Sequence, residues 1–155
     1  MIVLNLRITL NKTIMKKMII TFAAAITLLI TGSCGSTQGT LSTAMLTAQT
    51  WELESVNGKT VSAADYGRGL PTITFGTDNK VSGNGGCNGF SGSYNLNDEG
   101  GVNFSQFMST KMACEGTGET EFMRALDRAR KAKIDKDKLT FLRGTKDILV
   151  FTAKK

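Results

Sequence analysis

Short stretches of alternating apolar and polar residues fill most of the chain after residue 49. In TWELESV, residues 50–56, Trp51 and Leu53 alternate with glutamates, and this period of two is typical of a half-buried strand. The dipeptide Asn57-Gly58 predicts a tight hairpin turn, because both residues tolerate positive φ angles. Further β-rich runs, separated by turn residues, occupy residues 59–61, 72–75, 80–83, 92–96, 102–104, 139–142 and 148–151.

One segment has helical periodicity instead. Phe122, Leu126 and Ala129 are spaced at i, i+4 and i+7, with acidic residues before them and basic residues after them. This pattern predicts a helix over residues 119–133. The predicted fold is therefore mainly β (α+β): a strongly curved antiparallel sheet or partial barrel of seven or eight short strands, with one opening covered by the helix.

The start of the chain resembles a secretory signal. Lys16 and Lys17 precede an apolar run of 13 residues, 18–30, and the small residues Gly32 and Ser33 follow it. The run is well short of the roughly 20 residues that a transmembrane helix needs. We therefore expect an exported protein, and the signal fits a start at either Met1 or Met15.

The residues that end this signal are similar to the lipobox of bacterial lipoproteins. Cys34 follows Thr31-Gly32-Ser33, with Thr31 where the usual pattern carries Leu, Val or Ile. We expect a lipid anchor on Cys34 that holds the protein at a membrane of the bacterial envelope, on the periplasmic side of the outer membrane. The alternative is ordinary cleavage nearby, which leaves a periplasmic protein. The predicted organisation is an N-terminal extension and signal over 1–33, a flexible tether over 34–48, and a folded domain over 49–155.

Charge and composition exclude several function classes. Four of the 19 Lys and Arg residues precede Cys34, whereas all 13 Asp and Glu residues follow it, which leaves 15 basic against 13 acidic residues and a net charge of +2. Nothing here indicates a nucleic-acid partner. The chain has no histidine, which excludes Ser-His-Asp and Cys-His catalysis and any His-ligated metal. We expect no metal and no cofactor.

The stretch SGNGGCNGFSGSY, residues 82–94, has three interpretations. A phosphate-binding loop would need a third glycine at position 88 and a helix after it, and the sequence supplies neither. A reactive Cys87 would need a histidine, a cationic group, a helix N-terminus or a Cys-x-x-Cys motif beside it, and the sequence around it shows none of these. The third interpretation is a sharp bend in a sheet, with Cys87 bonded to Cys114, because export places both cysteines in an oxidising compartment.

Two blocks of this region carry a family resemblance. They read GCNGFSGSY, residues 86–94, and STKMAC, residues 109–114. Together with WELESVNG at residues 51–58, they resemble the META domain, or HslJ-like, family over nearly all of residues 49–152. The motif residues, which the resemblance implies are structural, are Gly86, Cys87, Asn88, Phe90, Gly92, Tyr94, Thr110, Met112, Ala113 and Cys114.

The resemblance implies a compact β-rich domain with one helix, found in bacterial envelope lipoproteins. The HslJ branch is linked to the heat-shock response and to novobiocin tolerance, and the family has no established enzymatic activity. A similar fold occurs in pilot lipoproteins of secretion systems, which bind lipid and a secretin tail in a hydrophobic cleft.

Three function hypotheses follow. The first is a non-enzymatic envelope protein that supports the envelope under stress. The second is a binding module that takes a lipid or a partner peptide in a cleft between the sheet and the helix, with walls at Phe75, Phe90, Phe104, Phe107, Met108, Phe122 and Leu126; we favour the simpler interpretation that these side chains fill the core. The third, an enzyme, rests only on carboxylates such as Glu119 and Glu121, for which a solvated or helix-dipole role suffices.

Overall fold

The computed structural model describes residues 41–155. The predicted signal, Cys34 and the first part of the predicted tether lie outside these residues. The α-helices are α1, Thr43–Thr47, and α2, Gly118–Arg128, and a short 3-10 helix covers Ala63–Asp65. The strands are β1, Thr50–Val56; β2, Lys59–Thr60; β3, Thr72–Phe75; β4, Lys80–Asn84; β5, Gly89–Leu96; β6, Val102–Ser109; β7, Lys131–Asp135; β8, Lys138–Arg143; and β9, Lys146–Ala153.

The strands form one antiparallel sheet in the order β6-β5-β4-β3-β1-β9-β8-β7, and β2 pairs with β1 beside this path. The sheet curves until its two edge strands approach each other at one point, where Gly101 forms a bridge with Lys131 and the Ala132 amide donates to the Gly100 carbonyl at 2.8 Å. The sheet does not close into a barrel. The predicted fold class is confirmed, with nine strands in place of seven or eight.

The core lies between the inner face of this sheet and helix α2. Trp51, Phe122, Phe141 and Phe151 are fully buried, and the ring centroids of Phe122 and Phe151 lie 6.2 Å apart across the boundary between helix and sheet. Burying one such side chain contributes about 1.5–3 kcal/mol. Helix α2 thus covers the opening of the curved sheet with its apolar side chains, as the sequence predicts.

The predicted end of this helix is wrong. The helix ends at Arg128, because Ala129 adopts an extended conformation with ψ of 135°, and Lys131 and Lys133 belong to β7 instead. Along β7 the exposed lysines alternate with the inward-facing Ala132 and Ile134, and all five residues pair with β8. The ladder with β8 outweighs the local helical propensity of this basic segment.

The second half of the predicted tether is also folded. Residues 43–47 form helix α1, with Ser42 as its N-cap, and Leu41 and Leu46 are buried in the core. The indole Nε1 of Trp51 donates to the Leu46 carbonyl at 3.0 Å. The folded domain therefore begins before residue 49. Within residues 41–155, no helix has the length and apolar character needed to cross a bilayer.

Strand β6 is longer than predicted and contains an irregularity. Ser91 pairs with Met108 and Ser93 with Ser105, so one extra residue is accommodated on β6, where Gln106 has a φ of +56°. Such a bulge reverses the alternation of side chains along the strand. As a result, Phe107 packs inward against the rings of Phe90 and Phe104, whereas Met108 is 69% exposed.

Candidate functional site

The two motif blocks meet where the β4–β5 turn lies against the segment between β6 and α2. A disulfide joins Cys87 of the first block to Cys114 of the second, with an S–S distance of 2.03 Å and a Cα–Cα distance of 6.0 Å. Cys87 is 4% exposed and Cys114 is partly exposed. The predicted disulfide is thus present, and it fixes a segment that otherwise has no regular secondary structure.

Asn88 provides a second, polar connection. Its Oδ1 accepts from the Thr110 hydroxyl at 2.8 Å and from the Met112 amide at 2.6 Å. Its Nδ2 donates to Oε2 of Glu119 at 2.7 Å and to the Met112 carbonyl at 3.3 Å. The Asn88 amide also donates to Oε1 of Glu119 at 2.7 Å. We call Asn88 and these three partners, Thr110, Met112 and Glu119, the Asn88 clip.

The clip uses every hydrogen-bonding atom of a side chain that is only 7% exposed. A buried amide is stable only when both its oxygen and its NH₂ group are paired. The Asn88 side chain is therefore committed to holding three parts of the chain together: the β4–β5 turn, the segment after β6, and the first turn of α2.

Glu119 is the member of this clip that the sequence did not indicate. A carboxylate in the first turn of a helix is explained by the helix dipole alone, and we expected no more than that. Its partner Asn88 is 31 residues away in sequence, so no local pattern connects them. Only the packing of α2 against the β4–β5 turn shows that Glu119 receives two hydrogen bonds from one residue.

Glycines allow this close approach. Gly86 has a φ of +102°, and a Cβ placed on it would lie 2.2 Å from a ring carbon of Tyr66. A Cβ on Gly85 would lie 2.5 Å from Oε1 of Glu119. Both positions exclude any larger residue, and Gly86 also needs the left-handed backbone that glycine adopts without strain.

Tyr66 lies under this turn and is 6% exposed. Burial, with smaller contributions from the charges of Glu121 and Asp65, raises the pKa of its phenol to about 12. At physiological pH the hydroxyl of Tyr66 therefore keeps its proton, and it acts as a packing group rather than as a base.

The other residues of the first block lie on β5 and face the core. Phe90 contacts Phe122 of α2 with ring centroids 5.9 Å apart. The Tyr94 hydroxyl donates to the Gly76 carbonyl at 2.8 Å, and burial, followed by the charge of Asp78, raises the pKa of this phenol. A Cβ on Gly92 would lie 2.9 Å from the Phe107 ring, so the absent side chain makes room for that ring.

The residues of the second block lie nearer to the surface. Met112 is 43% exposed, and its sulfur accepts a hydrogen bond from the Arg68 guanidinium at 3.4 Å. Ala113 is exposed, and nothing in its surroundings explains why alanine occupies this position. The block therefore contributes through Thr110, the main chain of Met112, and Cys114.

Most of the predicted cleft residues fill the core. Phe75, Phe90, Phe104, Phe122 and Leu126 are 0–7% exposed, and the rings of Phe75, Phe90, Phe104 and Phe122 contact neighbouring aromatic rings. The structure thus supports the core interpretation for these five. Phe107 and Met108 instead line an open groove of about 520 Å³ along β4, β5 and β6, together with Val81, Gly92 and several serines.

A second open cavity, of about 220 Å³, lies beside the disulfide. Its lining includes both cysteines, Tyr66 and the carboxyl-bearing residues Asp65, Glu115 and Glu119. Within residues 41–155, no three His, Cys, Asp or Glu side chains are grouped closely enough to hold a metal ion.

The fold and the motif site define a small, disulfide-stapled β-domain whose opening is covered by one helix. The META domain family model matches residues 44–155, which is well over half of the chain. The chain therefore belongs to the META domain family. No functionally curated protein shows significant similarity to it.

Solved structures share the fold of this chain. The chain is 25% identical to a protein solved by NMR, with a TM-score of 0.60, and the match covers 73% of this chain and 95% of that one. A Burkholderia xenovorans protein, also solved by NMR, is 26% identical, with a TM-score of 0.57 and coverage of 72% and 85%. The crystal structure of a DUF4847 family protein from Bacteroides vulgatus ATCC 8482 shares the fold at 18% identity, with a TM-score of 0.52 and coverage of 72% and 95%.

Proposed function

We propose that this protein is a non-enzymatic lipoprotein of the bacterial cell envelope, anchored through Cys34, that supports the envelope during stress. Membership of the META domain family supports the proposal, as does the signal-like start of the chain. The stress in question is the kind to which the resemblance points, namely heat and exposure to novobiocin.

The observation that carries this proposal is the use of the motif residues. The cysteines of the two blocks are joined to each other, and both polar atoms of the Asn88 side chain are hydrogen-bonded within the clip. A catalytic group needs a free nucleophile, acid or base that can reach a substrate. The motif is better suited to stabilising the domain in an exposed, oxidising compartment.

The short connection to Cys34 also fits an anchored domain. Leu41, which is already packed in the core, is seven residues after Cys34. Seven residues span at most about 25 Å when fully extended. A lipid on Cys34 would therefore keep the domain close to the membrane surface.

The test is genetic and biochemical. A deletion strain should lose viability under heat, detergent or novobiocin, and wild-type protein should restore it. Cys34→Ser should fail to restore it and should leave the membrane fraction. Intact-mass measurement of the wild-type protein from membranes would report the cleavage site, the lipid and the disulfide together. A deletion strain equal to wild type under all three stresses would contradict the proposal.

A second candidate function is binding of a lipid or a peptide, and the groove beside Met108 favours it. The volume of this groove lies within the range of about 300–1,000 Å³ that is typical of ligand pockets, and its lining is mainly apolar. Met108→Lys should abolish co-purification of a ligand in native mass spectrometry. Met45→Lys is the matched control, because Met45 is 42% exposed on α1. Wild-type protein that carries no ligand would count against this candidate.

A further inference from the structure

The cavity beside the disulfide is lined by two unequally exposed cysteines. Cys87, in the β4–β5 turn, is 4% exposed, whereas Cys114, in the segment before α2, is partly exposed. The volume of about 220 Å³ corresponds to several water molecules at roughly 30 Å³ each. The reactive end of a small thiol fits into such a space.

Carboxylates dominate the surroundings of this cavity. Glu115, which follows Cys114 directly, is exposed and forms no ion pair with another residue in the range 41–155. Asp65 accepts from the Ser62 amide, and Glu119 is occupied by the Asn88 clip. The cations close to the site are Arg68, whose guanidinium donates to the sulfur of Met112, and Lys111, four residues before Glu115.

We propose that this cavity is a thiol–disulfide exchange site, in which an incoming thiolate attacks Sγ of Cys114 and the acidic lining disfavours anionic thiols. This inference does not depend on the cellular role proposed above. The attacking class is a small thiol, and exchange requires its thiolate form.

The step balances without another reactant. A new S–S bond forms between the thiol and Cys114, the Cys87–Cys114 bond breaks, and its electron pair goes to Cys87, which then takes a proton from water. The sulfur of Cys87 lies 3.6 Å from the Met112 carbonyl oxygen, so the new thiol has an acceptor in place. A second thiolate, or Cys87 itself, then releases Cys114 from the mixed disulfide.

The Asn88 clip determines what happens next. Because it joins the two segments independently of the disulfide, Cys87 stays near Cys114 after the bond breaks. A neighbouring thiol held in this way acts at a high effective concentration. We therefore expect the mixed disulfide to be short-lived, with Cys87 closing the bond again.

The first experiment identifies the sulfur that is attacked. Purified full-length, oxidised protein is treated briefly with cysteamine and then quenched with a large excess of N-ethylmaleimide, which caps every free thiol, and the peptides are mapped by mass spectrometry. We expect maleimide on Cys87 and cysteamine on Cys114. The reverse pattern, or an equal mixture of the two, would overturn the proposal.

The second experiment tests the charge selection. Exchange rates are measured for cysteamine, 2-mercaptoethanol and 2-mercaptoethanesulfonate, whose reactive thiolate forms carry net charges of 0, −1 and −2, and each rate is divided by the rate with a simple reference disulfide. Glu115→Gln should raise the relative rate of 2-mercaptoethanol roughly twofold and that of 2-mercaptoethanesulfonate by more, since removing one unit charge at a separation on the order of 8 Å in water changes the local concentration of a singly charged anion by about this factor. Cysteamine, whose reactive form has no net charge, should change least.

The matched control is Glu99→Gln, the same substitution at an exposed residue of the β5–β6 turn. It should change no rate. Wild-type protein provides a test without substitutions, because salt screens these charges: raising the ionic strength should accelerate 2-mercaptoethanesulfonate most, 2-mercaptoethanol less and cysteamine least. Exchange rates that depend on neither thiol charge nor ionic strength would refute the proposal that the acidic lining selects against anionic thiols. Equal effects of the substitutions at Glu115 and Glu99 would refute it as well.

Discussion

Asn88 offers the sharpest test of how the motif stabilises the domain. The substitution Asn88→Ala removes the four side-chain hydrogen bonds of the clip and leaves the disulfide in place. It separates the polar contribution of the motif from the covalent one. The residue is 7% exposed, so water replaces the lost partners only in part.

The expected loss follows from the partners. A hydrogen bond between neutral groups contributes about 1 kcal/mol net, and one to a charged group about 1.5–3 kcal/mol. Three bonds of Asn88 join neutral groups and one reaches the Glu119 carboxylate. Because Glu119 and Thr110 retain access to solvent, and because bonds within one network are not additive, we expect a loss of about 3 kcal/mol in the free energy of unfolding.

The assay is urea denaturation of the oxidised protein, with the midpoint and the slope fitted separately. Asn95→Ala is the matched control, since Asn95 lies exposed on β5 and makes no side-chain hydrogen bond within residues 41–155. We expect it to change stability by less than about 0.5 kcal/mol. A loss below about 1 kcal/mol for Asn88→Ala, or equal losses for the two variants, would refute the reasoning.

A double-mutant cycle with Glu119→Ala locates the interaction. Residues that share one hydrogen-bond network show coupling energies of about 0.5–3 kcal/mol. The combined loss for Asn88 and Glu119 should therefore be smaller than the sum of the single losses. Strict additivity would mean that the two side chains stabilise the fold independently.

Three further predictions concern the same region. Reducing the Cys87–Cys114 bond, or replacing both cysteines by serine, should lower the free energy of unfolding by about 3.5 kcal/mol in the chain-entropy model for a separation of 27 residues, and alkylation without reduction should label neither cysteine. In denaturation experiments, Gly86→Ala should cost about 2 kcal/mol more than Gly144→Ala, since both glycines have positive φ but only Gly86 has a neighbour within 4 Å of the added Cβ. Tyr66 should titrate near pH 12 in ultraviolet absorbance. Because its folded pKa is above the unfolded value of about 10, its contribution to stability should be complete below pH 10 and lost as pH rises toward 12, and Tyr66→Phe should remove this loss.

Local patterns identified the parts of the fold that local physics determines. The alternation around Trp51 predicted β1, and Asn57-Gly58 predicted the turn after it, where the two φ angles are +51° and +82°. The disulfide was predicted from two cysteines that we expected to lie in an oxidising compartment.

What the sequence did not indicate depends on contacts between distant segments. Strand β7 exists because its residues pair with β8, although its lysines also suit a helix. Helix α1 has only five residues, which is too short for a helix to be stable alone, and its position depends on the contact between Leu46 and Trp51. In each case a tertiary partner outweighs a weak or misleading local signal.

The position of the motif explains why these residue types occur together. The eight residues between β6 and α2, 110–117, have no regular secondary structure, yet they lead into the helix that covers the core. If this segment moved away from the sheet, the fully buried side chains of Phe122 and Leu126 would be exposed to water, at a cost of about 1.5–3 kcal/mol each. The disulfide ties the segment at Cys114, and the clip ties it at Thr110 and Met112 and holds the first turn of the helix through Glu119. The two motif blocks therefore act together, through the disulfide and the Asn88 clip, to hold helix α2 against the core.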